Sequence, residues 1–291
     1  MTESACSLSV ILLTKLKEIL KTSCNAQIQK LGQSADSSPA VGQIQVNFVF
    51  SMQHALQESS AFKSFERDSC QLQMVTIAGL SEEEKVVFWC NIYNILTVHA
   101  LIQMPIANTF FEKSNIITTA KYNIGGHYFS IIDIEHGILR ARSSKPAVFG
   151  PIVASYAFAD KDHRKIFALQ RPCPLISFVL FTAISVSPPL TILKKPANVY
   201  TELSKCASNY TYQYVSIKRQ ATALRVTHVV TLPALFKSFW KDFGQKQDDV
   251  LLFISQYIPQ PTSDNIKSMI KSGAYYTLSF GTYEWSSVIV L

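Results

Sequence analysis

Apolar residues spaced three and four apart mark the start of the chain. Val10, Leu13, Leu16, Leu20 and Leu31 fall near one side of a helix over residues 8–31, with Lys15, Lys17, Glu18 and Lys21 elsewhere. Residues 33–43, rich in Ser, Gly, Ala and Pro, read as a linker. The pattern thus divides the chain into an amphipathic helix (1–32), a linker (33–43), a main domain (44–258) and a C-terminal extension (259–291). The first helix either docks on a partner or a second copy through residues 8–31, or packs back on the main domain.

Within the main domain, His54–Phe65 is expected to be helical. Ser81-Glu82-Glu83-Glu84 has the S-x-x-E form of a capping box, with acidic residues in the first turn. It opens a helix over about 83–103, and Pro105 follows its end. On that helix Phe88, Trp89, Ile92, Ile95, Leu96 and His99 share one side, and Cys90, Asn91, Tyr93, Asn94 and Thr97 the other. The second side is polar but uncharged, as a pocket wall or a hydrogen-bonding seam would be. A buried amide costs about 1–3 kcal/mol unless it finds partners, so these two Asn residues fix a local geometry. Tyr122–Ser130, centred on Gly125-Gly126, predicts a hairpin. Ser130 or Asp133 then caps a helix over Ile134–Arg142. Helices at Asp162–Leu169 and Ala197–Ser208, strands at Tyr210–Ile217 and Val226–Thr231, and closing helices at Leu232–Phe243 and Asp248–Tyr257 complete the pattern. This order predicts an α+β fold: a single main domain of mixed helices with a small, largely antiparallel sheet.

The chain has 291 residues, 48% hydrophobic and 16% charged, enough for a sizeable core. The net charge of +7 is dispersed; pairs such as Lys194-Lys195 and Lys218-Arg219 read as solvated surface, so nucleic acid is not an expected partner. Glycines are few and no phosphate-binding loop occurs. The 6 cysteines have irregular spacing and no CxxC, which argues against a zinc knuckle or a disulfide scaffold. His54, His127, His163 and His228 lack metal-ligand spacing, so neither a metal nor a cofactor is expected. No basic segment precedes the apolar run at Ser9–Leu13, and Leu175–Val186 is too short to span a bilayer, so a cytoplasmic protein without a membrane span is expected.

Four ordered motifs carry a resemblance. Phe88-Trp89-Cys90-Asn91-Ile92-Tyr93-Asn94 with His99, and Ile124-Gly125-Gly126 followed by Ser130-Ile131-Ile132-Asp133-Ile134-Glu135-His136-Gly137-Ile138-Leu139-Arg140, are the first two. Asp162, Arg164 and Phe167-Ala168-Leu169 form the third, and Leu232-Pro233-Ala234-Leu235-Phe236 with Asp242-Phe243-Gly244 the fourth. Over about residues 50–258 the chain resembles the family called domain of unknown function 547. Some members of that family resemble cysteine hydrolases, and others occur beside leucine-zipper, DEP or glutaredoxin-like regions. The resemblance therefore implies a cysteine-hydrolase-like fold with His136, Glu135 and a Cys as candidate catalytic residues. It also points to Asn91, Tyr93 and Asn94 as candidate binding residues.

The chain departs from the family where the nucleophile belongs. Ile166 stands where the family has His, and Gln170-Arg171-Pro172 replaces its xCG. Two alignments remain open. Cys173-Pro174 matches by letter, whereas Ser187-Pro188-Pro189-Leu190 fits the later pattern and puts Ser187 at the Cys position, with Gln170–Thr182 as an insertion. A thiol nucleophile needs a base within hydrogen-bond reach, and His136 is that candidate, oriented by Glu135, Asn91 or Asn94. Neighbouring Glu135 and His136 project about 100° apart on an α-helix and do not pair directly; Glu135 is expected to meet Arg140 or Arg142 instead. His99, on the apolar side, reads as a satisfied core histidine. The expectation is an interaction or scaffold domain with a degenerate hydrolase-like cleft, a pseudoenzyme. The alternative is a papain-like cysteine hydrolase using Cys173 and His136.

Overall fold

The capping box at Ser81 sets up the central element of the fold. In the computed structural model, which describes residues 4–31, 45–107, 109–143, 158–183, 187–221, 226–281 and 288–291, Ser81 Oγ accepts from the Glu84 amide at 3.2 Å. The Glu84 carboxylate in return accepts from the Ser81 amide at 2.8 Å. These bonds start a long helix, Glu82–Gln103, which is buried on nearly every side from Val86 to Leu96. By length and composition this helix could cross a membrane, but 83% of its most apolar window is covered by the rest of the protein.

Three helices wrap it. The first, α1 (Ala5–Leu31), turns Leu8, Leu12, Leu13, Leu16, Ile19 and Leu20 into the same core, so its apolar side packs back on the main domain. The predicted helix at His54–Phe65 is two helices, α2 (Phe50–Glu58) and α3 (Ser60–Ser69). Ser59 divides them: its backbone is extended, and its side chain accepts from the Phe62 amide to cap α3. The central helix is α4, and α5 (Phe110–Thr119) follows it under a second capping box from Thr109 and Glu112.

The hairpin forms where the Gly pair predicts it, with β2 (Lys121–Ile124) antiparallel to β3 (His127–Ser130). Both turn glycines have positive φ, +56° at Gly125 and +86° at Gly126, the requirement of a two-residue hairpin turn. A Cβ at Gly125 would also stand 2.8 Å from the Val75 carbonyl oxygen. After β3, Ser130 and Asp133 cap each other reciprocally. The helix expected over Ile134–Arg142 is instead a wide π-helical turn, Asp133–Leu139, whose end is closed by Arg140 N donating to Glu135 O at 2.8 Å. The helix expected at Asp162–Leu169 is only a 3₁₀ turn, His163–Phe167, with Asp162 as its cap. The apolar run from Leu175 forms a 3₁₀ turn (Pro174–Phe178) and a packed loop, its residues 184–186 lying outside the described ones.

In the C-terminal part, α6 runs from Val199 to Tyr214 and absorbs the start of the strand expected at Tyr210–Ile217. Leu203, Ala207, Tyr210 and Thr211 bury on its inner side, and that helical burial outweighs the β-favouring Tyr and Thr. Strand β4 therefore begins at Ser216 and ends at Ala221, antiparallel to β5 (Val226–Leu232). Two short helices, α7 (Ala234–Ser238) and α8 (Trp240–Phe243), replace the one expected at Leu232–Phe243, and α9 covers Gln247–Ser255. Residues read from sequence as an extension form α10 (Thr262–Lys271) and β6 (Tyr276–Phe280), which pairs parallel with β5. Strand β7 (Val288–Val290) pairs antiparallel with β1 (Gln45–Asn47).

The architecture is α+β, with helices around small sheets. One core surrounds α4; a second lies between α6, α7–α10 and the three-stranded sheet, with Phe178, Tyr210, Phe236, Phe243 and Ile254 inside it. The proposed linker 33–43 lies outside the described residues.

Candidate functional site

The polar side of α4 is a seam. Asn91 meets both backbone groups of Leu193: its Nδ2 donates to the carbonyl at 2.9 Å and its Oδ1 accepts from the amide at 3.0 Å. Nδ2 also reaches Ser9 Oγ on α1 at 3.3 Å. One turn on, Asn94 Nδ2 donates to Val179 O at 2.9 Å and Thr191 O at 3.3 Å, while its Oδ1 accepts from Phe181 N at 2.8 Å. Each side-chain amide imitates a peptide group and supplies the ladder bonds that an irregular loop cannot make for itself. The two Asn residues thus pin segments 179–181 and 191–193 across the helix. Both are buried and their bonds are made within the chain, so neither presents its amide to a ligand.

Tyr93 points elsewhere, toward the π-helical turn. Its hydroxyl donates to Glu135 Oε2 at 3.3 Å. Glu135 Oε1 accepts from Arg140 Nε at 3.2 Å, the pairing expected from sequence. The same guanidinium donates from Nη1 to Asp242 Oδ2 at 2.7 Å and from Nη2 to Ser177 Oγ at 2.9 Å, and it lies 3.7 Å from the centre of the Phe239 ring. Side chains of Arg140 and Asp242 are both 2% exposed, so this is a buried ion pair in which each guanidinium nitrogen has a hydrogen-bond partner. Burial, then the Glu135 charge, pushes the Tyr93 hydroxyl well above its ordinary range, which keeps it a proton donor to the carboxylate.

His136 lies beside this network. Its Nε2 is 3.9 Å from Glu135 Oε2, too long for a hydrogen bond. Burial pushes its pKa below the ordinary value, Glu135 opposes that and Arg140 adds to it. Cys173 is 8% exposed and opens the 3₁₀ turn at Pro174, its carbonyl accepting from Ile176 N at 3.2 Å. Burial raises its thiol pKa, against the backbone amides of Ile176 and Leu175. No hydrogen bond joins Cys173 to His136 among the described residues. Ser187, the other occupant of the nucleophile position, is 1% exposed; its Oγ accepts from Thr182 N at 2.8 Å and donates to Pro188 O at 3.0 Å. That hydroxyl closes a loop. Cys90 is buried in the core, and burial raises its thiol pKa strongly.

The candidate residues therefore separate into three groups. Tyr93, Glu135 and His136 come together, Asn91 and Asn94 organise a loop, and Cys173 and Ser187 sit in local turns, Cys173 within electrostatic reach of Arg140. Ser177, Asp242 and Phe239 complete the Arg140 cluster and were not among the candidates. Asp242 had a signal in the closing Asp-Phe-Gly motif; Ser177, within an apolar run, had none. His99 has partners but sits at the edge of the core, partly exposed: its Nδ1 is 2.6 Å from Tyr122 Oη, its Nε2 3.6 Å from Glu66 Oε1, and its ring is edge-on to Phe62 and Phe65. No group of three or more His, Cys, Asp or Glu side chains among the described residues could hold a metal.

Comparison with known proteins fits this convergence of motifs. No curated protein and no solved structure matches the chain. Residues 77–211, which contain α4, the hairpin, the π-helical turn and most of α6, match the family model described as Protein of unknown function, DUF547. This segment, which supplies Tyr93, Glu135 and Arg140 to the buried network, is similar to the DUF547 family.

Proposed function

We propose that the chain is an interaction or scaffold domain whose hydrolase-like cleft is filled by its own side chains. One observation carries this reading: the polar groups a hydrolase would turn toward a substrate are consumed in the closed Tyr93–Glu135–Arg140–Asp242–Ser177 network. The thiolate, not the thiol, attacks a carbonyl, and burial holds the Cys173 thiol in its protonated form without a base bonded to it. The outward side of α1, with Ser7, Ile11, Thr14 and Glu18 exposed, is the part of residues 8–31 free to meet a partner or a second copy.

A thiol-directed activity probe tests the catalytic half of this proposal. The folded protein is expected to leave Cys173 unlabelled, with labelling appearing only after denaturation. Labelling of folded protein that disappears in both Cys173→Ala and His136→Ala would instead support the papain-like hydrolase. The association half is tested by sedimentation across a concentration series with Ile11→Glu, a surface change that leaves the core intact. Wild-type self-association weakened by the substitution supports the α1 surface, whereas identical monomeric behaviour removes self-association from the proposal.

A further inference from the structure

Two histidines that stand 36 residues apart in the chain meet beside the hairpin. His127 opens β3, and His163 opens the 3₁₀ turn that ends at Phe167. Arg164 fixes their approach. Its Nη1 donates to the carbonyl of Tyr128, the neighbour of His127, at 2.7 Å, and its Nη2 donates to Asp162 Oδ2 at 2.8 Å. His127 Nδ1 and His163 Nε2 are thereby held 3.1 Å apart. Phe129 and Phe167 pack against the His127 ring, with ring centres 6.3 and 5.4 Å away. His127 is half-buried and His163 exposed, so the pair is open to solvent.

We propose that His127 and His163 form a two-ligand site for divalent transition-metal ions, with Cu(II) bound most tightly. Imidazole nitrogen suits these ions, and the affinity of one nitrogen set rises along the first row to a maximum at Cu(II). An ion about 2.0–2.1 Å from each nitrogen sees a pair 3.1 Å apart at an angle of about 100°, between the square and tetrahedral values. The ring centres are 4.9 Å apart, closer than a straight end-to-end alignment of the rings would set them. The nitrogen lone pairs therefore lean off the line between them, as two ligands of one ion must. In the free protein one ring N–H bridges the pair. On binding, that hydrogen moves to the far nitrogen of its own ring, and both facing nitrogens offer lone pairs. Asp133 and Asp162 both accept from Arg164 and offset its charge, which would otherwise oppose the cation. The side chains supply two ligands and water fills the remaining positions, so the ion stays exchangeable.

The test is calorimetric titration of the full-length protein with Cu(II), joined to pulsed electron paramagnetic resonance of the bound ion. Cys70→Ser is present throughout to remove the exposed cysteine. With both histidines in place, the tightest-bound Cu(II) is expected to carry two imidazole nitrogens. Losing even an outer-shell partner costs about 10–100-fold in metal affinity, so loss of a ligand in His163→Asn is expected to weaken this site at least about tenfold and to leave one imidazole on the ion. His127→Asn is expected to do the same, whereas His54→Asn, at an exposed histidine elsewhere, is expected to change neither reading. A single imidazole on Cu(II) with both histidines present, or an unchanged affinity in His163→Asn, overturns the proposal. His163 is exposed, so His163→Asn decides the matter by itself should His127→Asn fail to fold.

Discussion

Two side-chain amides on consecutive turns of α4 hold a loop that has no regular structure of its own. Asn94 engages Val179 O, Thr191 O and Phe181 N, so an Asn94→Leu change leaves backbone groups buried without partners. An unsatisfied buried group costs about 1–3 kcal/mol, and the substitution is expected to lower stability by about 2–4 kcal/mol, measured by urea denaturation. His136 gives a pH-dependent counterpart. Its folded-state pKa is depressed by burial, so as pH falls through the ordinary histidine value the unfolded chain takes up the proton first. Stability is therefore full above that value and declines as pH falls below it. His99, also depressed by burial, acts in the same direction. The urea midpoint is expected to fall between pH 7 and pH 5, with a shallower fall in His136→Asn; an unchanged slope would count against a neutral, buried His136. The presence of the Asn pair was legible from residue type alone, because polar groups in an apolar helix demand partners. Their partners were not, since residues 179–193 carry no polar signature that names Asn91 or Asn94.

Elements with a local signature formed where the chain predicts them. The Ser81–Glu84 capping box, the Gly125-Gly126 turn and the periodicity of α1 each act within a few residues, so a sequence window contains the whole cause. Elements decided by packing came out differently. The Tyr and Thr residues at 210–214 alternate like a strand, yet α6 continues through them because Tyr210 and Thr211 bury in the C-terminal core. Strand β6 pairs parallel with β5 across residues that no local pattern links. For α1 the periodicity specified an apolar side without saying what covers it; the structure places it on the core around α4. Leu16, fully buried on that side, gives the test. Leu16→Ala is expected to cost about 2–5 kcal/mol by chemical denaturation, the range for a buried leucine leaving a cavity. A loss under about 0.5 kcal/mol would mean that α1 is not part of the folded core.

At the scale of the molecule, Arg140 joins the core around α4 to the second core through Asp242, 102 residues away in sequence. Removing one partner of such a pair strands a buried charge and costs about 3–5 kcal/mol. Asp242→Asn is expected to lower stability and to speed amide exchange most strongly in α7–α10 and β4–β6, which then open apart from the α4 core. Uniformly faster exchange throughout would show that the pair does not hold the two cores together. By itself the sequence determined the fold class, the long capped helix, the hairpin and the polar motifs, because caps, turn glycines and periodicity are short-range physics. Only the tertiary structure decided that Tyr93, Glu135, Arg140, Ser177 and Asp242 close on one another. Those contacts join segments far apart in the chain, and what a polar side chain does is fixed by the partner that folding brings to it.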